Sequence, residues 1–244
     1  MPAVRRKFRS RSCETSLSKG FGVVVQPSVK EQIVLAAERL FAEHGLDGAS
    51  LRQISAAAGN GNNTAVQYHF GSKERLVQEI FEYRLPGLNE RRRLLVARRR
   101  PDDLRSWVEC HILPILEQGE QEGSHYLSFV AMLQQYGRRD VFERLPGELS
   151  RPTTDFVERV GALLGHIPEP LRSHRIAQAL AFGVHAASER ERTRERGGNV
   201  LPFAVHVGDL LDGLVGFLEA PVSPATSSVA GETDLPALAL PLHP

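Results

Sequence analysis

The stretch SLRQISAAAGNGNNTAVQYHFGSKERL, residues 50–76, decides the fold. It opens with Ser50 followed three residues later by Gln53, the reciprocal pattern of a capping box, in which each side chain satisfies an orphan N–H of the other. A helix from Ser50 to about Ala58 then buries Leu51, Ile54 and Ala58 on one face. Gly59-Asn60-Gly61 breaks it, because these residue types reach positive φ cheaply, as a tight turn between crossing helices requires. Asn62 is a good N-cap for a third, short helix ending near Phe70. Gly71 stops that helix, and Ser72 caps a fourth that carries Leu76, Val77, Ile80 and Phe81.

The third helix has two unlike faces. Ala65, Val66 and Phe70 supply a core side. Asn62, Asn63, Thr64, Gln67, Tyr68 and His69 face outward with amide, hydroxyl and imidazole groups, and Lys73 follows at the start of the next helix. Such groups bond base edges and phosphate oxygens. Two short helices joined by a glycine turn, the second rich in exposed donors and poor in charge, suit a helix-turn-helix whose last member enters the major groove.

Working outward, residues 28–44 hold Ile33, Ala37, Leu40 and Phe41 in one helical stripe, with Gly45 as a natural stop. Residues 1–28 mix arginine, serine and glycine without periodicity and read as a flexible arm. Arg5, Arg6, Lys7, Arg9, Arg11 and Lys19 there face one acid, Glu14. The arm has three readings: a minor-groove extension, a disordered leader, or a translated segment upstream of the true start. Beyond the head, helices are expected at about 103–118, 124–138, 148–166, 170–195 and 203–219, punctuated by glycine and proline. Pro86-Gly87 is expected to interrupt or kink the fourth helix. Arg91 to Arg93 and Arg98 to Arg100 read as a solvated helical face. Residues 221–244, rich in Pro, Ala and Ser, are expected to form a disordered tail. The chain is therefore all-α, with an arm (1–28), a helix-turn-helix head (29–76), a helical effector-binding and dimerisation domain (77–220) and a tail.

Composition agrees with a globular protein: 244 residues, 41% hydrophobic and 24% charged, with a formal net charge of +1. No run approaches the roughly 20 apolar residues that span a bilayer. The basic start lacks the apolar stretch of a signal peptide, so the cytoplasm is the expected location. Cys13 and Cys110, far apart, make neither a disulfide framework nor a cysteine zinc site. Glu122 and His125 have the spacing of a di-iron motif, but it occurs once where such bundles need two. Gly20-Phe21-Gly22 and Gly59-Asn60-Gly61 follow no strand and complete no dinucleotide loop. There is no P-loop, nucleophile elbow or His-Glu-x-x-His. Neither an enzyme nor a cofactor or metal is expected.

The quoted stretch resembles the signature of the TetR family of repressors: a capped second helix, a recognition helix ending in Tyr-His-Phe, then Gly-Ser-Lys-Glu opening the fourth helix. The resemblance covers residues 30–81. It implies that Ser50 touches phosphate, that Asn63, Thr64 and Gln67 face bases or the groove, and that Tyr68, His69 and Lys73 contact phosphate. Two features depart from the family pattern: the turn between Gly59 and Phe70 is one residue longer, and Gln67 stands where an aromatic residue is frequent. The resemblance further implies a small-molecule effector and a homodimer joined by the last two long helices, with Leu180, Phe182, Val184, Leu210, Leu211, Leu214, Val215 and Leu218 at the seam. The duplex partner would be a near-palindromic operator, and repression the usual mode.

Trp107, His111, Tyr126, Phe129, Met132, Tyr136 and Phe182 in the C-terminal region read either as core or as walls of an effector pocket. Two other functions compete: a ligand-independent DNA-binding protein of the same fold, and a helical enzyme.

Overall fold

A computed structural model describes residues 27–59, 64–169 and 171–232. All regular structure among them is helical, in chain order from α1 to α11.

The head begins with α1, Val29–Gly48. Ser28 caps it reciprocally: its Oγ accepts from Glu31 N at 3.2 Å, and Glu31 Oε2 accepts from Ser28 N at 2.7 Å. Ile33, Ala37 and Phe41 are buried along one stripe. Gly45 breaks the helical path with φ 74°, a left-handed value that an L side chain resists, and a last short turn runs on to Gly48. The box at Ser50 is formed, with Gln53 Oε1 accepting from Ser50 N at 2.8 Å, and α2 spans Leu51–Ala57. Gly59 then turns the chain with φ 72°. The short helix α3, Thr64–His69, follows, and Asn62, the expected cap, lies outside the described residues.

The fourth helix, α4, runs Lys73–Arg99 from its Ser72 cap, whose Oγ accepts from Arg75 N. It runs on through Pro86, so of the two outcomes expected there, interruption or a kink, the interruption does not occur. Pro86 and Gly87 lie on its solvent side while Leu85, Leu88 and Asn89 are buried, so water can take the carbonyl that proline leaves unpaired, and packing on both sides offsets a loss of about 3 kcal/mol. The solvated arginine face also needs correcting. Arg91 and Arg93 are exposed, but Arg92 is buried inside.

The rest of the chain comprises α5 (Leu104–Gly119), α6 (Tyr126–Gln135), α7 (Arg139–Glu143), α8 (Gly147–Leu163), α9 (Leu171–Glu195) and α10 (Phe203–Glu219). The short α7 had no counterpart in the sequence reading. The tail also differs from expectation: residues Pro224–Glu232 form α11, an exposed helix, and residues 233–244 lie outside those described, as do residues 1–26 of the arm.

The apolar core is continuous from Ile54 and Val66 in the head to Leu218 in α10. Its centre is aromatic. Phe81 of α4 packs against Phe129 of α6 (5.6 Å between centroids), Phe142 (5.4 Å) and Tyr126 (6.2 Å), and Phe129 stacks on Phe41 of α1 at 6.3 Å. The expected boundary at 76/77 therefore falls inside α4, which belongs to both halves. Among the described residues, no helix is long and apolar enough to cross a membrane.

Candidate nucleic-acid interface

Val66 and Phe70 anchor α3: both are buried against the head, which fixes the opposite side of the helix toward solvent. On that side Tyr68 is 84% exposed, with Gln67 and His69 exposed beside it. The Tyr68 and His69 rings meet edge-on at 5.3 Å, which steadies two side chains that touch little else. Gln67 Nε2 donates to the Gly71 carbonyl at 3.2 Å, bracing the turn between α3 and α4. Asn62 and Asn63 lie outside the described residues, as does the side chain of Thr64.

Ser50 is exposed at the start of α2, its Oγ held by Gln53. Lys73 has a second task that the sequence did not suggest. Its Nζ donates to the Leu46 carbonyl at 2.7 Å, so it ties the turn after Gly45 to the start of α4. Two ammonium N–H groups remain. Arg52, exposed on α2, is a further cation of this surface that sequence reasoning passed over. The signal was available, since Arg52 lies off the Leu51–Ile54–Ala58 stripe.

A bidentate ion pair fixes the head to the rest of the chain. Glu38 of α1, with no exposed surface, accepts from Arg84 Nε and Nη2 of α4, both at 2.7 Å. Burial works against the Arg84 charge, but the Glu38 carboxylate outweighs it and holds the guanidinium above its ordinary pKa. Glu38 Oε1 also accepts from His125 N at 3.1 Å, just ahead of α6.

The seven aromatic and polar candidates of the C-terminal region do not share one cavity. Tyr126 and Phe129 are central core, His111 and Met132 are buried, and Trp107 is half-buried. Phe182 is 54% exposed on the outer side of α9, and Tyr136 is 68% exposed. Met132 and Tyr136 line an open groove between the end of α1, α6 and α9, together with His44, His185 and Arg192. His125 pairs with Glu195 at 2.9 Å instead of joining Glu122. Among the described residues no three His, Cys, Asp or Glu side chains gather as a metal site would need.

The seam expected between protomers also needs revision. Leu180, Val184, Leu210, Leu211, Leu214 and Leu218 are buried within the chain's own core, leaving Phe182 and the half-buried Val215. The outward face of α10 carries other apolar groups, Val205 and Phe217. Gly208, Gly213 and Gly216 lie on α10, where a Cβ would meet open space.

A short helix with buried apolar anchors and exposed amide, phenol and imidazole groups, set after a capped helix and a glycine turn, has the form of a helix-turn-helix head, and the described residues beyond it add only helices. Residues 33–80 match the model of the bacterial regulatory proteins of the tetR family, so this segment is similar to that family's N-terminal region. The HTH-type transcriptional repressors AcnR of Corynebacterium efficiens and of Corynebacterium glutamicum are each 43% identical to it over 47 residues. That is 19% of this chain and 24% of theirs, so the chain matches about a quarter of the length of these curated relatives. Over the longer span the likeness is one of fold. The ketosteroid transcriptional regulator KstR2 of Mycobacterium tuberculosis superposes with a TM-score of 0.53 at 20% identity, covering 77% of this chain and 95% of its own. The fatty acid degradation regulator FadR of Bacillus halodurans gives 0.52 at 14% identity, covering 78% and 96%.

Proposed function

We propose that the protein is a transcriptional repressor that binds a near-palindromic duplex operator as a homodimer and leaves it when a small molecule binds the C-terminal helices. The observation that carries this reading is the exposed Gln67-Tyr68-His69 edge of α3, held outward by buried Val66 and Phe70. An aromatic ring left so open on a helix of six residues has no packing role in the chain itself. In this reading Asn63, Thr64 and Gln67 meet base edges, with Asn62 beside them. Ser50, Tyr68, His69 and Lys73 meet phosphate. Arg52 joins the phosphate contacts.

Two heads must stand about one helical turn of DNA apart, roughly 34–36 Å, or a multiple of it. The outer faces of α9 and α10 would bring them there: Phe182, Val205 and Phe217 are the apolar contacts, and the bare glycines of α10 allow close approach of a partner helix. Effector binding favours a different head spacing and so shifts the population away from the DNA-bound form. The lever is α4, locked to α1 through Arg84 and Glu38. Such a regulator works in the cytoplasm.

The test begins with genome-wide mapping of bound sites, followed by gel-shift titration of a recovered operator. Tyr68→Phe and Lys73→Ala should weaken binding to specific and scrambled duplexes alike, and the lysine change should lower the salt slope by about one. Gln67→Ala should instead narrow the gap between specific and scrambled duplexes. If none of the three changes affinity, the assigned reading face is wrong.

A further inference from the structure

Arg92 points from the middle of α4 into the protein, between α5 and α8, and is 3% exposed. Its Nε donates to the His111 carbonyl at 3.3 Å, and its Nη1 donates to Asn89 Oδ1 at 3.2 Å and reaches Thr153 Oγ1 at 3.5 Å. Its Nη2 has no partner. Arg190, also buried, and the mostly enclosed Arg84 each meet a carboxylate, Glu120 and Glu38 respectively. Arg92 pairs with none among the described residues. Burial pulls its guanidinium down to about 9, which still leaves it charged at neutral pH.

Two further buried polar atoms that feel its charge are also unsatisfied. His111 Nε2 has no partner, and neither has the Tyr126 hydroxyl, which lies within electrostatic reach of Arg92. Burial together with the Arg92 charge holds the His111 imidazole well below its ordinary pKa, so it is neutral. Its ring stacks on Phe156 of α8 at 4.1 Å. Buried polar groups ordinarily find partners, and an unpaired buried charge is among the costliest groups to leave alone. Besides Asn89 and Thr153, the same helices bury the apolar side chains Leu88, Leu95, Ile112, Ile115 and Val160.

One kind of guest answers all of these features. A singly charged carboxylate neutralises one guanidinium, and its planar pair of oxygens matches the guanidinium fork. A phosphate dianion would bring more charge than Arg92 offsets, and an ammonium would add to it. The body joined to that carboxylate must be apolar to suit the leucines, isoleucines and Phe156. We infer that the effector is a small organic acid with an apolar body, its carboxylate seated on Arg92 between α4, α5 and α8, with Tyr126 and His111 completing its hydrogen bonds. This rests on the sensor reading of the C-terminal helices. It also places the guest eight residues from Arg84 on the same helix, roughly 12 Å along α4 from the clamp on α1.

The test uses the full chain and a probe series, the straight-chain carboxylates from butanoate to dodecanoate and benzoate, each beside its alcohol at equal concentration. The wild-type Tm should rise with at least one carboxylate and not with the matching alcohol. Arg92→Met should abolish that rise while unliganded Tm and operator affinity stay at or above wild type, because an unpaired buried charge is removed. Tyr126→Phe should weaken the carboxylate response several-fold. If Arg92→Met does not fold, Arg92→Lys, which keeps the charge without the fork, should weaken the response at least tenfold. An equal response to acid and alcohol, no response to any probe, or a response that survives the change at Arg92 overturns the inference. Wild-type protein that binds its operator but ignores every carboxylate overturns this inference alone. Protein that binds no operator overturns the reading beneath it.

Discussion

Glu191 on α9 holds a proton that an exposed glutamate would release. It is 2% exposed, its Oε1 accepts from Ser128 N at 2.9 Å, and its Oε2 has no partner. Burial raises its pKa to about 7, with Glu195 adding to the effect and the Ser128 bonds opposing it. Between the unfolded value of 4.5 and about 7, the folded state binds more protons than the unfolded one, so this group's contribution to stability falls as pH rises through that window. Above it the ionised carboxylate costs on the order of 3 kcal/mol relative to the unfolded chain. Glu191→Gln, which keeps an acceptor for Ser128, should therefore raise Tm at pH 8 and change it little at pH 4.5. Thermal melts of both proteins across that range check this. A Tm difference independent of pH would show that Glu191 is already ionised when folded. Arg92 and Glu191 together show what single-residue reading missed. A run of arginines looks solvated until the stripe Leu85, Leu88, Asn89, Arg92 and Leu95 is traced, which puts Arg92 on the buried side of α4.

Among the elements, α1 and α4 form the joint on which regulation would turn. Glu38 is buried, Arg84 is mostly enclosed and the two are doubly bonded, and removing one partner of such a pair typically costs about 3–5 kcal/mol, since the other charge is left alone. Glu38→Ala should lower stability by that order in denaturant melts, and Arg84→Met should cost a similar amount. Lys73→Ala, which also frees the Leu46 carbonyl, should lower Tm by only a few degrees, because one hydrogen bond is worth about 1 kcal/mol. The caps at Ser50 and Ser72 were legible in the sequence because capping is decided within four residues, and the same pattern at Ser28 and Glu31 was there to be read. Pro86 was not, because its tolerance depends on which side of α4 faces solvent, and that is set by α5 and α8. The exposed edge of α3 was legible for the same local reason as the caps: the positions of Val66 and Phe70 dictate where Gln67, Tyr68 and His69 must point.

At the scale of the molecule, the apolar period of α9 and α10 was readable but its direction was not. A leucine stripe looks the same whether it meets its own core or a second copy, and six of the eight expected seam residues turned out to serve the protomer. In the proposed dimer Phe182, Val205 and Phe217 remain as the contacts, so Phe182→Glu with Phe217→Glu should leave a folded monomer in light scattering and lower operator affinity. A doubly substituted protein that is still dimeric would move the interface elsewhere. The central claim is that the exposed edge of α3 reads duplex DNA. Its most direct test is fluorescence anisotropy of wild type and Gln67→Ala on a mapped operator and on a scrambled duplex at one fixed salt concentration. The account predicts that wild type binds the operator at least a thousandfold more tightly than the scrambled duplex, and that the substitution shrinks this ratio. Equal affinity of the wild-type protein for the two duplexes would contradict it.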